Sequence, residues 1–212
     1  MQTITVGSNS YGLVSIPDSL RLADVSFMMS DTVASVDNPF NRQQQTQYWG
    51  GGDMWSGKVT LPAMKAADAA AWKAFLAELR GIANVFQLGD PTAIAPFGSA
   101  LGQPVTSGTN SAMATQLVTS GWTPSQFRLL LPGDYLQIGY RLHMAVDAPV
   151  NSDASGNATI SIWPSLREAP AANTQIVLKQ PQGLFRLAKN QRGWHASPQR
   201  ATTISFDFEE VR

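Results

Sequence analysis

Apolar positions along this chain follow two different periods. Over most of its length they alternate with polar positions in short runs bounded by Gly, Pro, Asn and Ser, the punctuation of an all-β or α+β protein. Val25, Phe27 and Met29 alternate in this way, as do Trp55, Gly57, Val59 and Leu61 against Ser56, Lys58 and Thr60. Across residues 64–80 the period changes. This stretch is Ala-rich, and Trp72, Phe75, Leu76 and Leu79 fall at i, i+3, i+4 and i+7, one apolar stripe of an amphipathic helix. Pro62 precedes it, and Gly81 follows where a helix end favours positive φ. Residues 83–88 read as a strand again, so residues 54–88 form a strand, helix, strand unit.

Downstream, residues 91–121 are rich in Gly, Ser, Thr, Pro and Ala and contain no ionisable side chain, which predicts a loosely structured connector. A denser pattern follows at 127–131, 135–138, 142–146, 158–162, 176–178 and 184–187, short strands separated by tight turns, as in a small barrel or sandwich. Ile204, Phe206 and Phe208 mark a last amphipathic strand, expected to return to the first sheet. The predicted organisation is therefore predominantly β. A sandwich-like domain with one packed helix spans residues 1–90 plus about 190–212, a connector spans 91–121, and a small barrel or sandwich spans 122–189.

Residues 38–53 fit neither period. They hold Phe40, Arg42, Gln43, Gln44, Gln45, Gln47, Tyr48 and Trp49 and end in Gly50, Gly51 and Gly52, too polar to bury a core of their own. An exposed two-stranded arm that pairs with a neighbouring subunit and an ordinary mobile loop both fit this composition.

Charge sharpens the picture. Fifteen basic and fifteen acidic residues cancel, giving no long-range attraction to nucleic acid or an anionic membrane. Charged residues make up only 14% of the chain, against roughly 25% in ordinary soluble domains, which suits a surface largely covered by other subunits. The absence of cysteine removes disulfides, thiol nucleophiles and thiolate zinc sites. No apolar run is long enough to span a membrane and residues 1–10 do not resemble a secretion signal, so the expectation is a chain made soluble in the cytoplasm.

Candidate chemistry is sparse. His143 and His195 stand outside any HExxH or triad pattern, and His143 falls on the polar side of an alternating strand. Residues 151–157 imitate the start of a calcium loop, but Ile162 occupies the position of the bidentate Glu, so a turn is expected. Asp134 and Asp147 are a carboxylate pair of the kind any chain this long offers. Lys179, Arg186, Lys189, Arg192 and Arg200, with Phe185 and Trp194 interleaved and no acidic residue between 169 and 205, suggest a face that meets an acidic neighbour. No catalytic, metal or cofactor site is predicted. Exposed Trp122, Tyr135, Tyr140 or Trp163 could instead serve as stacking platforms of a carbohydrate-binding module.

Three stretches together resemble the distal tail proteins of long, non-contractile-tailed phages and prophages. These are the Trp strand, Pro and Ala-rich helix from Trp55 to Gly81, the strand end from Phe86 to Pro91, and the later β segment. That segment runs from Leu131-Pro132-Gly133-Asp134-Tyr135 through Gly156 and Ile162-Trp163-Pro164 to Gly183-Leu184-Phe185-Arg186-Leu187. The resemblance implies a non-enzymatic structural subunit that forms a ring, usually sixfold, joining the tail tube to the baseplate hub at the virion tail tip. It implies a tube-like β domain with one helix and an extended arm, plus a peripheral barrel or sandwich of oligonucleotide-binding or galectin-like shape. The arm would be the Gln-rich stretch, with Phe40, Gln43, Gln45, Gln47, Tyr48 and Trp49 at the subunit interface. Its implied partners are further copies of itself, the tube protein and hub proteins, without membrane or sequence-specific nucleic-acid contacts, although the genome passes the lumen.

Overall fold

The structure, a computed structural model, describes residues 2–17, 24–198 and 201–212. In chain order its elements are β1 (Gln2–Val6), β2 (Asn9–Leu13), β3 (Asp24–Ser30), β4 (Val33–Asp37), β5 (Gln44–Tyr48), β6 (Met54–Thr60), α1 (Ala66–Glu78) and β7 (Phe86–Leu88). Then follow β8 (Gly102–Thr106), β9 (Gln116–Trp122), β10 (Tyr135–Ile138), β11 (Arg141–Ala145), β12 (Ala158–Trp163) and β13 (Ile176–Val177). The chain closes with β14 (Gly183–Leu187), β15 (Trp194–Ala196) and β16 (Thr202–Glu210). The fold is predominantly β, with a single α-helix among the described residues.

The first sheet has the order β3-β6-β16-β14-β7, with β15 beside the first residues of β16. The alternation read in the sequence sets which face is buried: Trp55, Val59, Ile204, Phe206 and Phe208 point into one core, while Lys58, Thr203 and Ser205 point to solvent. Gly57 has a particular task here. A Cβ at this position would lie 2.1 Å from the Ser26 carbonyl oxygen and 2.5 Å from Phe208, so only glycine lets β3 and the Phe208 ring close over β6. α1 covers the same core with Trp72, Phe75, Leu76 and Leu79, and Phe75 meets Phe86 edge-on at 5.6 Å. The helix is shorter than its predicted 64–80 span because Met64 exchanges two backbone hydrogen bonds with Thr202 instead. It ends as Arg80 and Gly81 turn to φ 50° and 69°.

The second sheet, β13-β10-β11-β12-β9-β8, curls into a nearly closed barrel. Its seam is fastened where Thr106 N donates to the Thr174 carbonyl and Asn173 N donates to that of Thr106, both at 2.9 Å. Leu117, Leu129, Leu130, Leu136, Ile160 and Ile162 fill the interior. Two placements correct the sequence reading. The expected connector holds β8 and β9, two staves of this barrel. Its loop is ordered by Asn110, whose side chain donates to the Ser107 and Val118 carbonyls and accepts from Val118 N, polar bonds doing what apolar burial does elsewhere. β14, grouped in the sequence with the barrel strands, lies in the first sheet between β16 and β7, because Phe185 and Leu187 belong to that core.

The barrel's outer face rests on the first sheet. Leu142, Tyr135, Met144 and Trp163 pack into the first core, and Trp55 donates from its indole nitrogen to the Leu142 carbonyl at 3.0 Å. A third small cluster, Ile4, Val6, Val85, Leu184 and Val211, fixes the β1–β2 hairpin to the side of the molecule.

Candidate assembly interface

The Gln-rich stretch forms the second half of a two-stranded arm. β4 and β5 pair antiparallel from Val33 opposite Tyr48 to Asp37 opposite Gln44, and every residue of both strands is exposed. The arm thus begins at Val33, upstream of its predicted start at 38, and the mobile-loop alternative gives way to a hydrogen-bonded hairpin. Residues directly opposite each other share a face. Gln45 and Gln47 lie with Val36 and Ala34 on one side, while Tyr48 lies with Val33, Ser35, Thr46 and Gln44 on the other. Phe40 stands alone at the tip, 97% exposed, and Trp49 stays exposed at the root. The predicted interface residues are therefore spread along the whole arm. Val33 and Val36 join them, Val36 at 70% exposure, as do Met28 and Met29 of β3, which the sequence reading placed only in a strand. Val33 and Val36, ahead of the turn residues Asp37-Asn38-Pro39, were the available signal for β4.

The tip is tied by its own turn. Phe40 N donates to the Asn38 side chain at 2.9 Å, Gln43 N donates to the Asn41 side chain at 3.0 Å, and the Asn41 amide donates to Gln43 at 3.1 Å.

The root is tied to the rest of the molecule. Thr32 accepts from Trp49 N at 2.9 Å, closing the hairpin. On one strand Asp31 accepts from the Trp163 indole at 2.7 Å. On the other, Tyr48 donates its hydroxyl to the buried Asp53 carboxylate at 2.6 Å, and Ser165 donates to the same oxygen at 3.1 Å. Burial and the hydrogen bond to Asp53 push the Tyr48 phenol up to about 12, so it remains a donor across ordinary pH. Gly51 donates its N–H to Ser165 and accepts from Arg167 at 2.7 Å, while Arg212 donates to the Gly52 carbonyl. Arg167 in turn pairs with Glu210 at 3.1 Å, and Arg141 lies 3.8 Å from the same carboxylate and 3.1 Å from Glu168. Two guanidinium groups thus face two carboxylates in a largely buried network, the balance such burial requires.

β3 adds a second unguarded feature. It forms the edge of the first sheet with no strand beyond it among the described residues, and it carries no proline, lysine or bulge.

The remaining candidates fall elsewhere. His143, expected on a polar face, is 1% exposed, because β11 is covered on both sides: Leu142 and Met144 meet the first sheet, while His143 and Ala145 face the barrel interior. His195 lies on exposed β15. Residues 151–157 form the expected turn. The Asp153 carboxylate accepts from Asn157 N and Ser155 N at 2.8 and 2.7 Å, and these bonds hold it below the usual carboxylate range. Asp134 is a buried structural acceptor for Phe97 N, Gly98 N and Leu131 N. The basic run does not form one face: Arg186 pairs with Glu209 at 2.8 Å, Phe185 is buried, and Arg200 lies outside the described residues. Nor are the four aromatic platforms free. Trp122 is buried in the barrel, Tyr135 and Trp163 pack on Trp55, and Tyr140 packs against the β1–β2 cluster.

Compared with known proteins, the chain matches no family model and no curated sequence.

Proposed function

We propose that this chain is a structural subunit that assembles with copies of itself through its arm. We infer further that the assembly is the distal tail ring of a long, non-contractile-tailed phage, seated between tail tube and baseplate hub at the tail tip. The observation that carries the self-assembly reading is the arm. Both of its faces are exposed along their full length, it presents apolar side chains from root to tip, and buried bonds anchor its base. The exposed Val33, Val36, Phe40, Tyr48 and Trp49 on this otherwise polar hairpin cost solubility in a lone monomer and are covered when a neighbour accepts them. The open edge of β3, continuous with the arm, offers main-chain hydrogen bonds to the same neighbour. Head-to-tail repetition of such a contact closes into a ring, and the sixfold number follows from the resemblance alone. The tail assignment likewise rests on the sequence resemblance, with which a helix-bearing β domain, an arm and a barrel agree. Assembly in the host cytoplasm and residence in the virion follow from the same reading.

Light scattering tests the first step. The intact chain is expected to reach a multiple of 22.8 kDa, and a variant with residues 36–45 replaced by an Asn-Gly turn is expected to stay at the mass of its own monomer. Equal masses for the two proteins would refute arm-mediated assembly.

A further inference from the structure

We propose that the arm tip of one copy docks into a groove between α1 and β15 of a second copy, with Phe40 seated against Trp194; this deepens the self-assembly reading above and rests on it. The groove is a cleft of about 600 Å3 lined by Lys73, Leu76, Ala77, Asn190, Arg192 and Trp194. Its wall is an aromatic ring that the monomer leaves uncovered. Trp194 is 53% exposed on a three-residue edge strand, steadied by the Lys73 ammonium 4.8 Å from the ring centroid. Among the described residues neither Lys73 nor Arg192 has a carboxylate within 4.0 Å, so the rim holds two cations with no acidic partner.

The arm tip has the complementary form. Phe40 projects from a turn braced by Asn38 and Asn41, so little conformational freedom remains to be lost on docking. A pre-set aromatic anchor entering an aromatic and aliphatic cleft is the arrangement that dominates binding energy at protein interfaces. Asp37, beside the tip, brings a carboxylate to the cationic rim. Arg42 on the same turn offsets part of that attraction, which leaves burial of the Phe40 ring as the main contribution.

Placement in the fold makes the contact intermolecular. Trp194 pairs with Ile204 near the start of β16, whereas the arm root is held by Glu210 and Arg212 at its far end. The intervening strand spans about 20 Å at ~3.4 Å per residue. The arm springs from the end of β3 and the start of β6, both at the Glu210 end of the sheet. The arm root and the groove thus sit at opposite ends of one sheet, a placement that suits head-to-tail association.

The absence of native cysteine gives a clean test. Pro39→Cys and Ala77→Cys, both exposed positions that leave Phe40 and Trp194 in place, are prepared separately, mixed and mildly oxidised. A disulfide-linked species is expected in the mixture, and it should disappear when Phe40→Ala is added to the Pro39→Cys protein. Phe40→Ala and Trp194→Ala alone should each weaken self-association at least about 10-fold by light scattering, with unfolding midpoints unchanged. Self-association without the cross-link, or insensitive to both substitutions, overturns the docking and leaves arm-mediated assembly standing. A monomer at every concentration, with no cross-link, overturns both.

Discussion

The ring of His143 offers a quantitative test of the barrel's buried interior. Nδ1 donates to the Pro164 carbonyl at 2.8 Å, and Nε2 is buried without a partner, so the neutral ring is the form the site accepts. Burial pushes the imidazole down from 6.5 to about 4; Arg141 and Arg167 push the same way, and the Pro164 bond and Glu168 oppose them. The unfolded chain therefore binds a proton between these two values while the folded chain does not. Stability is complete above pH 6.5, falls as the pH drops, and has lost this contribution entirely below about 4. The full span corresponds to about 3 kcal/mol, and the loss between pH 7.5 and pH 5 to about 2 kcal/mol. Urea unfolding at those two pH values should show wild type losing about 2 kcal/mol more than His143→Gln, a difference that cancels the carboxylates common to both. With only two histidines in the chain, ring-proton NMR reads the same event directly, and the His143 resonances should hold still from pH 7.5 to 5. A His143 midpoint near 6.5, or equal pH slopes for the two proteins, would refute the reasoning.

Two further substitutions probe the arm root and the sheet. Arg167→Ala leaves the Glu210 carboxylate with the Trp55 N–H and with Arg141, at 3.8 Å, as its only cation, and frees the Gly51 carbonyl, so it should cost about 3 kcal/mol in urea unfolding and speed amide exchange at residues 49–53. Unchanged exchange there would mean that the network does not hold the arm. Gly57→Ala forces a methyl against the Ser26 carbonyl and Phe208, where backbone and a packed ring leave little room to yield, and should cost about 2–3 kcal/mol; a loss under about 0.5 kcal/mol would show that β3 can shift.

What could be read from the sequence was whatever local periodicity determines. The helix stripe of Trp72, Phe75 and Leu76 and the alternation in β6 and β16 name their buried faces without knowledge of any partner, whereas in β3 Val25 and Phe27 turn to the core and Met29, third in the alternation, stays exposed. β8 and β9 escaped because Gly, Ser and Thr dilute the alternation, and their place depends on a seam between Thr106 and Thr174 that joins distant residues. β14 was misgrouped for a related reason: it follows a run of barrel strands ending in β13, but its pairing partners, β7 and β16, come from both sides of the barrel. His143 was misjudged because alternation reports one covered face, whereas β11 has two. At the candidate interface composition exposed the arm's glutamines, Tyr48 and Trp49. Val33 and Val36 of β4 stand three apart, so no alternation marks them, while the buried root and the groove beside Trp194 arise from contacts across more than a hundred residues, which no local pattern carries.

The central strand of the first sheet, β16, follows the other described strands of that sheet in the chain, and the barrel lies between β7 and β14, the pair that β16 joins to β3 and β6. During synthesis the barrel can close while the first sheet exists only as two unconnected pairs, β3 with β6 and β14 with β7. Both the Glu210 anchor beneath the arm and the Ile204 backbone that seats Trp194 arrive with this last strand. The arm hairpin can close early by its own local bonds, but the Glu210 anchor of its root and the strand pairing that places Trp194 come only with β16, so the docking proposed above has no complete groove before that strand is in place.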